Sequence, residues 1–175
     1  SRLELSGYEA DDLIATYSKF FTKKDWNISI ISSDKDLMQL VGDKVHMLDP
    51  IKNKLIKKEE VIEKFGVPPE KVIDVQSLAG DSIDNIPGAP GIGLKTGALL
   101  VKEYGSLENL LLNYSKIKQN KRRESIEKNL DAIKISKKLV TLKDDIELNI
   151  DIDKISDCEI NTKKLIPFLE EHGFN

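Results

Sequence analysis

Asp81-Ser-Ile-Asp84-Asn-Ile-Pro-Gly88-Ala-Pro-Gly91-Ile-Gly93-Leu-Lys95-Thr96 sets a run of turn-forming residues between two stretches of helical periodicity. Val72 to Ala79 reads as a short helix before it. Leu94 to Tyr104 reads as another after it, stopped by Gly105. The Gly, Pro, Asp and Asn between them mark a loop. Gly91 and Gly93 allow a tight turn and a close approach of the main chain to a ligand. N–H groups at the start of the following helix point toward any anion placed there. Lys95 and Thr96 add a charge and a hydroxyl in its first turn. Gly97 lies inside that helix at ~1 kcal/mol cost relative to alanine, and a close packing contact is the available reason for it.

Two nucleotide-binding readings of this segment fail. A Walker A loop needs lysine directly after its last glycine, and Leu94 stands there instead. A dinucleotide fingerprint needs a strand before its first glycine, and Pro90 precedes Gly91. The segment fits a helix-hairpin-helix, in which Gly91, Ile92, Gly93, Lys95 and Thr96 grip phosphates without reading bases. The plain alternative is an ordinary loop with an N-cap.

Outward from the hairpin, Lys58 to Phe65 reads as a helix ending at Gly66, with Pro68 beyond. Lys44 to Leu48 and Lys54 to Lys57 read as a strand pair, separated by Asp49-Pro50 and Asn53 turn chemistry. Asp34 to Leu40 looks like a short helix, and Asn27 to Ser32 like a buried strand. Glu9 to Lys23 is a helix with Leu13, Ile14, Tyr17, Phe20 and Phe21 at three- and four-residue spacing. On the other side, Ser106 begins a helix as its N-cap. Ser125 to Leu139 continues as helix, and Asp144 to Asp153 reads as an extended edge segment. Thr162 to His172 reads as a last helix, with Pro167 in its early turns. The alternation of helices and strands implies an α/β sheet. With one convincing buried strand, the sheet looks as if its beginning lies elsewhere.

Three segments carry paired carboxylates: Glu9-Ala-Asp11-Asp12, Asp34-Lys-Asp36 and Asp81-Ser-Ile-Asp84. Each has an ordinary explanation. Acids favour a first helical turn, and Asp is a common cap or turn residue. Together they say more, because one opens a helix, one follows the end of a strand and one opens the hairpin loop. Sites in open α/β sheets gather outside the carboxyl ends of strands. A set of hard oxygens without His or Cys suits Mg²⁺ or Mn²⁺. Crowded carboxylates repel unless cations neutralise them. Two divalent ions in such a cluster form a recurrent device for cleaving phosphodiesters.

The 175 residues, 39% hydrophobic and 33% charged, are those of a soluble globular chain with material for a core. The single cysteine, Cys158, excludes an intramolecular disulfide and suits a reducing cytoplasm. No apolar run approaches the ~20 residues needed to cross a bilayer. Ser1 to Gly7 resembles neither a signal nor a transit peptide. The net charge of −3 argues at first against a nucleic-acid partner. Between Tyr114 and Lys143, however, ten basic residues, Lys121, Arg122 and Arg123 among them, face three acidic ones. Binding responds to such local fields, although a solvated helix face would look similar.

Four motifs then occur in order: G-Y-E-A-D-D-L-I-A (7–15), S-S-D-K-D-L-M-Q-L-V (32–41), L-A-G-D-S-I-D-N-I-P-G (78–88) and P-G-I-G-L-K-T (90–96). With Y-G-S-L-E-N-L-L (104–111), they strongly resemble the 5′→3′ exonuclease domain of bacterial DNA polymerase I, a relative of flap endonucleases. The resemblance covers essentially the whole chain. It implies a partial parallel-sheet nuclease core of the flap-endonuclease (PIN-like) kind, followed by a mostly helical helix-hairpin-helix region. The expected division is 1–62 for the α/β metal-site part, 63–150 for the hairpin region and 151–175 for a C-terminal segment on the same unit.

The resemblance also implies a metal-dependent nuclease that removes RNA primers and 5′ flaps. Its metal ligands map onto Glu9, Asp11, Asp12, Asp34, Asp36, Asp81 and Asp84, with Asp34, Asp36, Asp81 and Asp84 in the catalytic role. Its hairpin is similar to ones that hold K⁺ through main-chain carbonyls. The expected partner is duplex or flapped DNA, in a bacterial cytoplasm near the nucleoid. A monomer with the polymerase region in the same parent polypeptide is also expected. Family members carry a long preceding stretch with further aspartates and a basic arch, and this sequence lacks it. The expectations are therefore double: a nuclease by descent, and a DNA-binding module with little cleavage of its own.

Overall fold

The computed structural model describes residues 3–147 and 161–174. The chain divides into two compact units, Leu5–Ile146 and a smaller one that includes Glu147–Asn175. Within Leu5–Ile146 the elements run α1 (Ala10–Thr22), β1 (Ile28–Ile31), a 3₁₀ turn (Asp36–Leu40), β2 (Val45–Asp49), β3 (Lys54–Ile56), α2 (Lys58–Phe65) and α3 (Val72–Ala79). They continue with α4 (Leu94–Tyr104), α5 (Leu107–Asn113), α6 (Asn120–Lys128) and α7 (Leu130–Val140). In the second unit, α8 spans Thr162–Glu171.

The sheet has the order β1-β2-β3. β1 runs parallel to β2, with Ile28 opposite Val45 and Ile31 opposite Leu48. β2 runs antiparallel to β3, with Met47 opposite Ile56 and Asp49 opposite Lys54. In the central strand, Val45, Met47 and Asp49 are the buried alternate residues, as a period of two requires. Asp49 closes the turn that follows: its Oδ1 accepts from the N–H groups of Ile51 and Lys52, each at 3.0 Å. Asn53 takes a positive φ of 47°, consistent with the turn chemistry in its sequence.

The helices around the hairpin have the bounds that their periodicity predicts. α2 begins where Lys57 N–H donates to Glu60 Oε2 at 2.8 Å and ends at left-handed Gly66. One continuous core joins the sheet to the helices. Met47, Val61, Phe65, Val72, Val75, Leu78, Leu107, Leu110, Ile126 and Ile133 lie at its centre.

Four expectations need correction. β1 is an edge strand in which Ile30 alone is buried, and Ile31 is 68% exposed. α1 buries Leu13, Ala15, Thr16 and Ser18. Tyr17, Phe20 and Phe21 instead form a half-exposed aromatic group with Trp26, in which Phe21 and Trp26 have centroids 5.0 Å apart. The helix expected over Ser125 to Leu139 is two helices. Asn129 leaves helical geometry (φ −122°, ψ 22°), its N–H returns to Ile126 O at 3.0 Å, and its side chain donates to Ser125 O at 2.7 Å. In α8, Pro167 sits well inside the helix rather than in its early turns. Of the edge segment expected over Asp144 to Asp153, residues 144–147 are irregular and the rest lies outside the described residues.

Candidate functional site

Each acidic motif is placed by local backbone chemistry. Glu9 is the extended N-cap of α1, which sets Asp11 and Asp12 in its first turn. There the helix dipole favours negative charge. Asp12 Oδ1 accepts from Lys143 N–H at 2.8 Å, and Thr16 one turn on exchanges hydrogen bonds with Lys143 O and Ile146 N–H. The chain leaving α7 is thereby tied across the start of α1. After β1, Asp34 N–H donates to Ser32 Oγ at 3.0 Å, and Asp34 Oδ1 accepts from Asp36 N–H at 2.9 Å. Asp34 thus starts the 3₁₀ turn, the ordinary structural role for such a residue.

The third motif leaves α3 at Gly80. The glycine has φ +67°, and an added Cβ would stand 2.6 Å from Ile86 O. Asp81 and Ile86 exchange two main-chain hydrogen bonds, at 2.9 and 2.7 Å, so the Asp81–Ile86 loop is closed at its base. Asp81 Oδ1 accepts from Ile83 N–H at 2.9 Å, and Asp84 is exposed at the loop tip.

These carboxylates share one field. Burial raises the pKa of Asp11, and the negative charges of Asp34, Asp36, Glu9 and Asp12 raise it further. Asp36 is raised first by burial and then by Asp34 and Asp84, against a hydrogen bond from Gln76 Nε2 at 2.5 Å that pulls the other way. Asp81 is lowered, chiefly because Lys35 donates to its Oδ2, and the same bond raises Lys35. The motifs are 22 and more residues apart in sequence, yet Lys35 within the second reaches Asp81 of the third, and the charges of the second act on Asp11 of the first. Among the described residues, no three of the carboxylates stand close enough to form a ligand set as they are. The donors are all hard oxygens, the chemistry that Mg²⁺ or Mn²⁺ takes, and their mutual repulsion favours a cation.

The hairpin is built differently. Gly88 has φ +56°, and a Cβ on it would meet Ala79 C and Gly80 Cα at 2.7 Å. Ser136 on α7 accepts from Gly88 N–H at 2.9 Å, and its hydroxyl donates to Ala132 O at 2.9 Å. Ser125 on α6 donates to Pro90 O at 2.6 Å. The Ile92 side chain is buried in the core and its N–H bonds Ala89 O at 3.0 Å, so Ile92 offers its carbonyl at most. Gly91 and Gly93 are exposed, Lys95 is exposed and Thr96 half-exposed. Gly93 starts α4 without a side-chain cap, leaving first-turn N–H groups available to an anion. Gly97 is the close approach between α3 and α4. A Cβ there would stand 3.3 Å from Val75 O and 3.4 Å from Val75 Cγ1.

In the basic stretch, Lys121 is exposed and Arg122 half-exposed. Arg123 is engaged inside the chain: its guanidinium donates to Ile117 O at 2.9 Å and Asn120 Oδ1 at 2.8 Å. Lys137 also works internally, pairing with Glu108 and with buried Asp74, which accepts from Leu107 N–H at 3.2 Å. Sequence reasoning assigned no role to Lys35, Gln76, Ser125 or Ser136. Lys35 lay inside a quoted motif, but nothing in spacing marks a lone Gln or Ser that finds its partner across the fold.

Residues 1–66 match the family described as 5′-3′ exonuclease, N-terminal resolvase-like domain, and residues 67–163 match 5′-3′ exonuclease, C-terminal SAM fold. The chain belongs to the 5′-3′ exonuclease family. It is 51% identical to DNA polymerase I of Rhizobium leguminosarum over 98% of this chain and 17% of that protein. It is 40% identical to the 5′-3′ exonuclease of Aquifex aeolicus over 97% of this chain and 57% of that one. The chain therefore spans a minor part of the polymerases and just over half of the exonuclease.

Among solved structures, T5 5′-exonuclease with zinc ions bound superposes with a TM-score of 0.75 at 25% identity, over 81% of this chain and 52% of the other. A T5 flap endonuclease variant in a pseudo-enzyme-product complex with DNA and metal ions gives the same values. The α/β nuclease core followed by a helical region, expected from the motifs, is the fold of this 5′-3′ exonuclease family. No helix among the described residues is long and apolar enough to cross a membrane.

Proposed function

We propose that this chain supplies metal-binding carboxylates and the duplex-gripping hairpin of a 5′→3′ exonuclease acting also as a 5′ flap endonuclease. Its substrate is flapped DNA or an RNA primer on DNA, and the setting is bacterial replication and repair in the cytoplasm, at the nucleoid. The reading rests chiefly on how the second and third acidic motifs meet: Lys35, between Asp34 and Asp36, is ion-paired with Asp81, and Asp36 accepts from Gln76 on the helix that leads into Asp81. Glu9, Asp11, Asp12, Asp34, Asp36, Asp81 and Asp84 would hold Mg²⁺ or Mn²⁺, with Asp34, Asp36, Asp81 and Asp84 nearest the chemistry. A divalent ion in such a set supplies an acidified water and charge stabilisation for an in-line displacement.

The chain's own residues bind and orient. First-turn N–H groups of α4, the Lys95 charge and the Thr96 hydroxyl take phosphates of the duplex, and exposed Gly91 and Gly93 let the strand lie close. Hairpin carbonyls provide a seat for K⁺. Lys121 and Arg122 extend the grip along α6. The acting unit is a monomer, with the polymerase region in the same parent polypeptide. The boundary between metal-site and hairpin parts falls near residue 62.

Cleavage of a 5′-flap substrate in Mg²⁺, abolished by Asp81→Asn with duplex binding retained, is the expected result. Unchanged cleavage in that variant would remove the carboxylates from the chemistry. A second reading, a DNA-binding module that cleaves poorly by itself, is favoured by the absence of a ready three-carboxylate set among the described residues. It predicts duplex binding without cleavage by the wild-type chain.

A further inference from the structure

Lys35 stands between two acids in Asp34-Lys-Asp36, yet its ammonium is directed at Asp81, 46 residues further on. Among the described residues it is the only basic side chain ion-paired with any of the seven carboxylates. Asp81 is nearly enclosed, its side chain 10% exposed, while that of Lys35 is 32% exposed. Both Asp81 oxygens are in use: Oδ2 accepts from Lys35 and Oδ1 from Ile83 N–H. Lys35 also feels the negative charges of Asp36 and Asp84. It therefore sits where a cation is electrostatically favoured, and a divalent ion on Asp81 Oδ2 would stand close to the ammonium bound there, where two positive charges repel.

We propose that Lys35 is the internal counter-cation of the carboxylate face, holding Asp81 in the metal-free protein and competing with the divalent ion for it. This rests on the reading above, that the carboxylates bind a divalent metal. Loading requires the ammonium to release Asp81 Oδ2, and the flexible four-carbon stem of lysine lets it swing toward solvent at little cost. The residue thus sets the metal concentration at which the site fills. It is a positioning residue for Asp81.

The test is Mn²⁺ binding to the whole chain without DNA, followed by electron paramagnetic resonance of the free ion. Lys35→Met removes the charge and keeps most of the stem. It should bind Mn²⁺ about tenfold tighter than wild type, because a positive charge no longer opposes the divalent one at short range. Lys35→Arg keeps the charge and should bind as wild type does. Equal or weaker binding by Lys35→Met would overturn the proposal.

A second measurement needs no variant. The Lys35 Nζ resonance of ¹⁵N-lysine-labelled wild-type protein should lose its ion-paired character on Mg²⁺ saturation, and an unchanged resonance at saturation would equally overturn it. The double variant Asp36→Asn/Asp81→Asn separates the two readings. If it binds Mn²⁺ like wild type, the metal reading itself fails and the proposal with it. If it loses binding while Lys35→Met shows no gain, only the role of Lys35 fails.

Discussion

The hairpin and the carboxylate face meet at the closed Gly80–Gly88 loop, and they are finished to different degrees. In the hairpin the demanding groups have partners. Gly88 N–H and Pro90 O are each met by a serine from a neighbouring helix, and Ile92 is buried. On the carboxylate face, like charges crowd and two aspartates have raised pKa values. Gln76, which hydrogen-bonds Asp36, has its own Oε1 buried without a partner among the described residues. The lesson is a division of labour. On the proposed reading, the main chain that would take phosphates is braced by side-chain partners before any ligand arrives. On the same reading, the face that would take cations carries unbalanced charge until they arrive.

This contrast is broken most severely at Gly88. Gly88→Val places a side chain on backbone atoms at positive φ, and a loss on the order of 3 kcal/mol or more is expected in urea unfolding. A variant as stable as wild type would mean that the loop is not closed as described. Gly97→Val, at the α3–α4 approach, should cost about 1–3 kcal/mol by the same measurement. It should also weaken binding to duplexes of any sequence about equally.

On the other side the sign reverses. Asp36→Asn removes one member of a repelling set, so the protein in EDTA should be as stable as wild type or more so, by up to about 1 kcal/mol. The same variant should bind Mn²⁺ poorly. A clear loss of stability in EDTA would show that the Gln76 hydrogen bond outweighs the repulsion.

The pH dependence follows from the same charges. Asp11 and Asp36 hold their protons to higher pH in the folded chain than their ordinary value of 3.8. Their stabilising contribution is complete below that value and is lost as the pH rises through their folded pKa values. Asp81 is lowered by Lys35, so its contribution is present above 3.8 and fades as the pH falls through its folded pKa. In thermal unfolding without metal, Asp36→Asn should therefore gain on wild type as the pH rises above 3.8, and Mg²⁺ should erase the gain.

The smallest effect is expected on α6. Lys121→Gln with Arg122→Gln should lower duplex affinity uniformly across sequences and reduce the salt slope by about 2. Arg123→Gln should act on thermal stability instead, because its guanidinium holds the Ile117–Asn120 turn.

Periodicity and turn chemistry were enough to place the helices Lys58–Phe65, Val72–Ala79 and Leu94–Tyr104. In each, apolar spacing and a terminal glycine act on the chain locally. They were not enough for α6 and α7. Ile126, Leu130 and Ile133 keep helical spacing straight through Asn129, while Asn-Lys-Arg-Arg-Glu at the start of α6 offers no apolar face to detect. The break depends on what each half packs against, with Ser125 reaching Pro90 and Ser136 reaching Gly88. α1 was misread for a related reason. Its aromatic residues announce a face, but small Ala15, Thr16 and Ser18 are the ones that fit against its neighbours.

By itself the sequence determined that hard-oxygen side chains occur in three groups and that a glycine-rich turn leads into a helix, since residue type and spacing are properties of the chain. It could not determine that Gln76 takes Asp36, that Lys35 takes Asp81 across 46 residues, or that Arg123 is spent holding a loop. Those outcomes depend on distances between segments remote along the chain. Only closure of the common core around Phe65, Val75 and Leu78 brings such segments together.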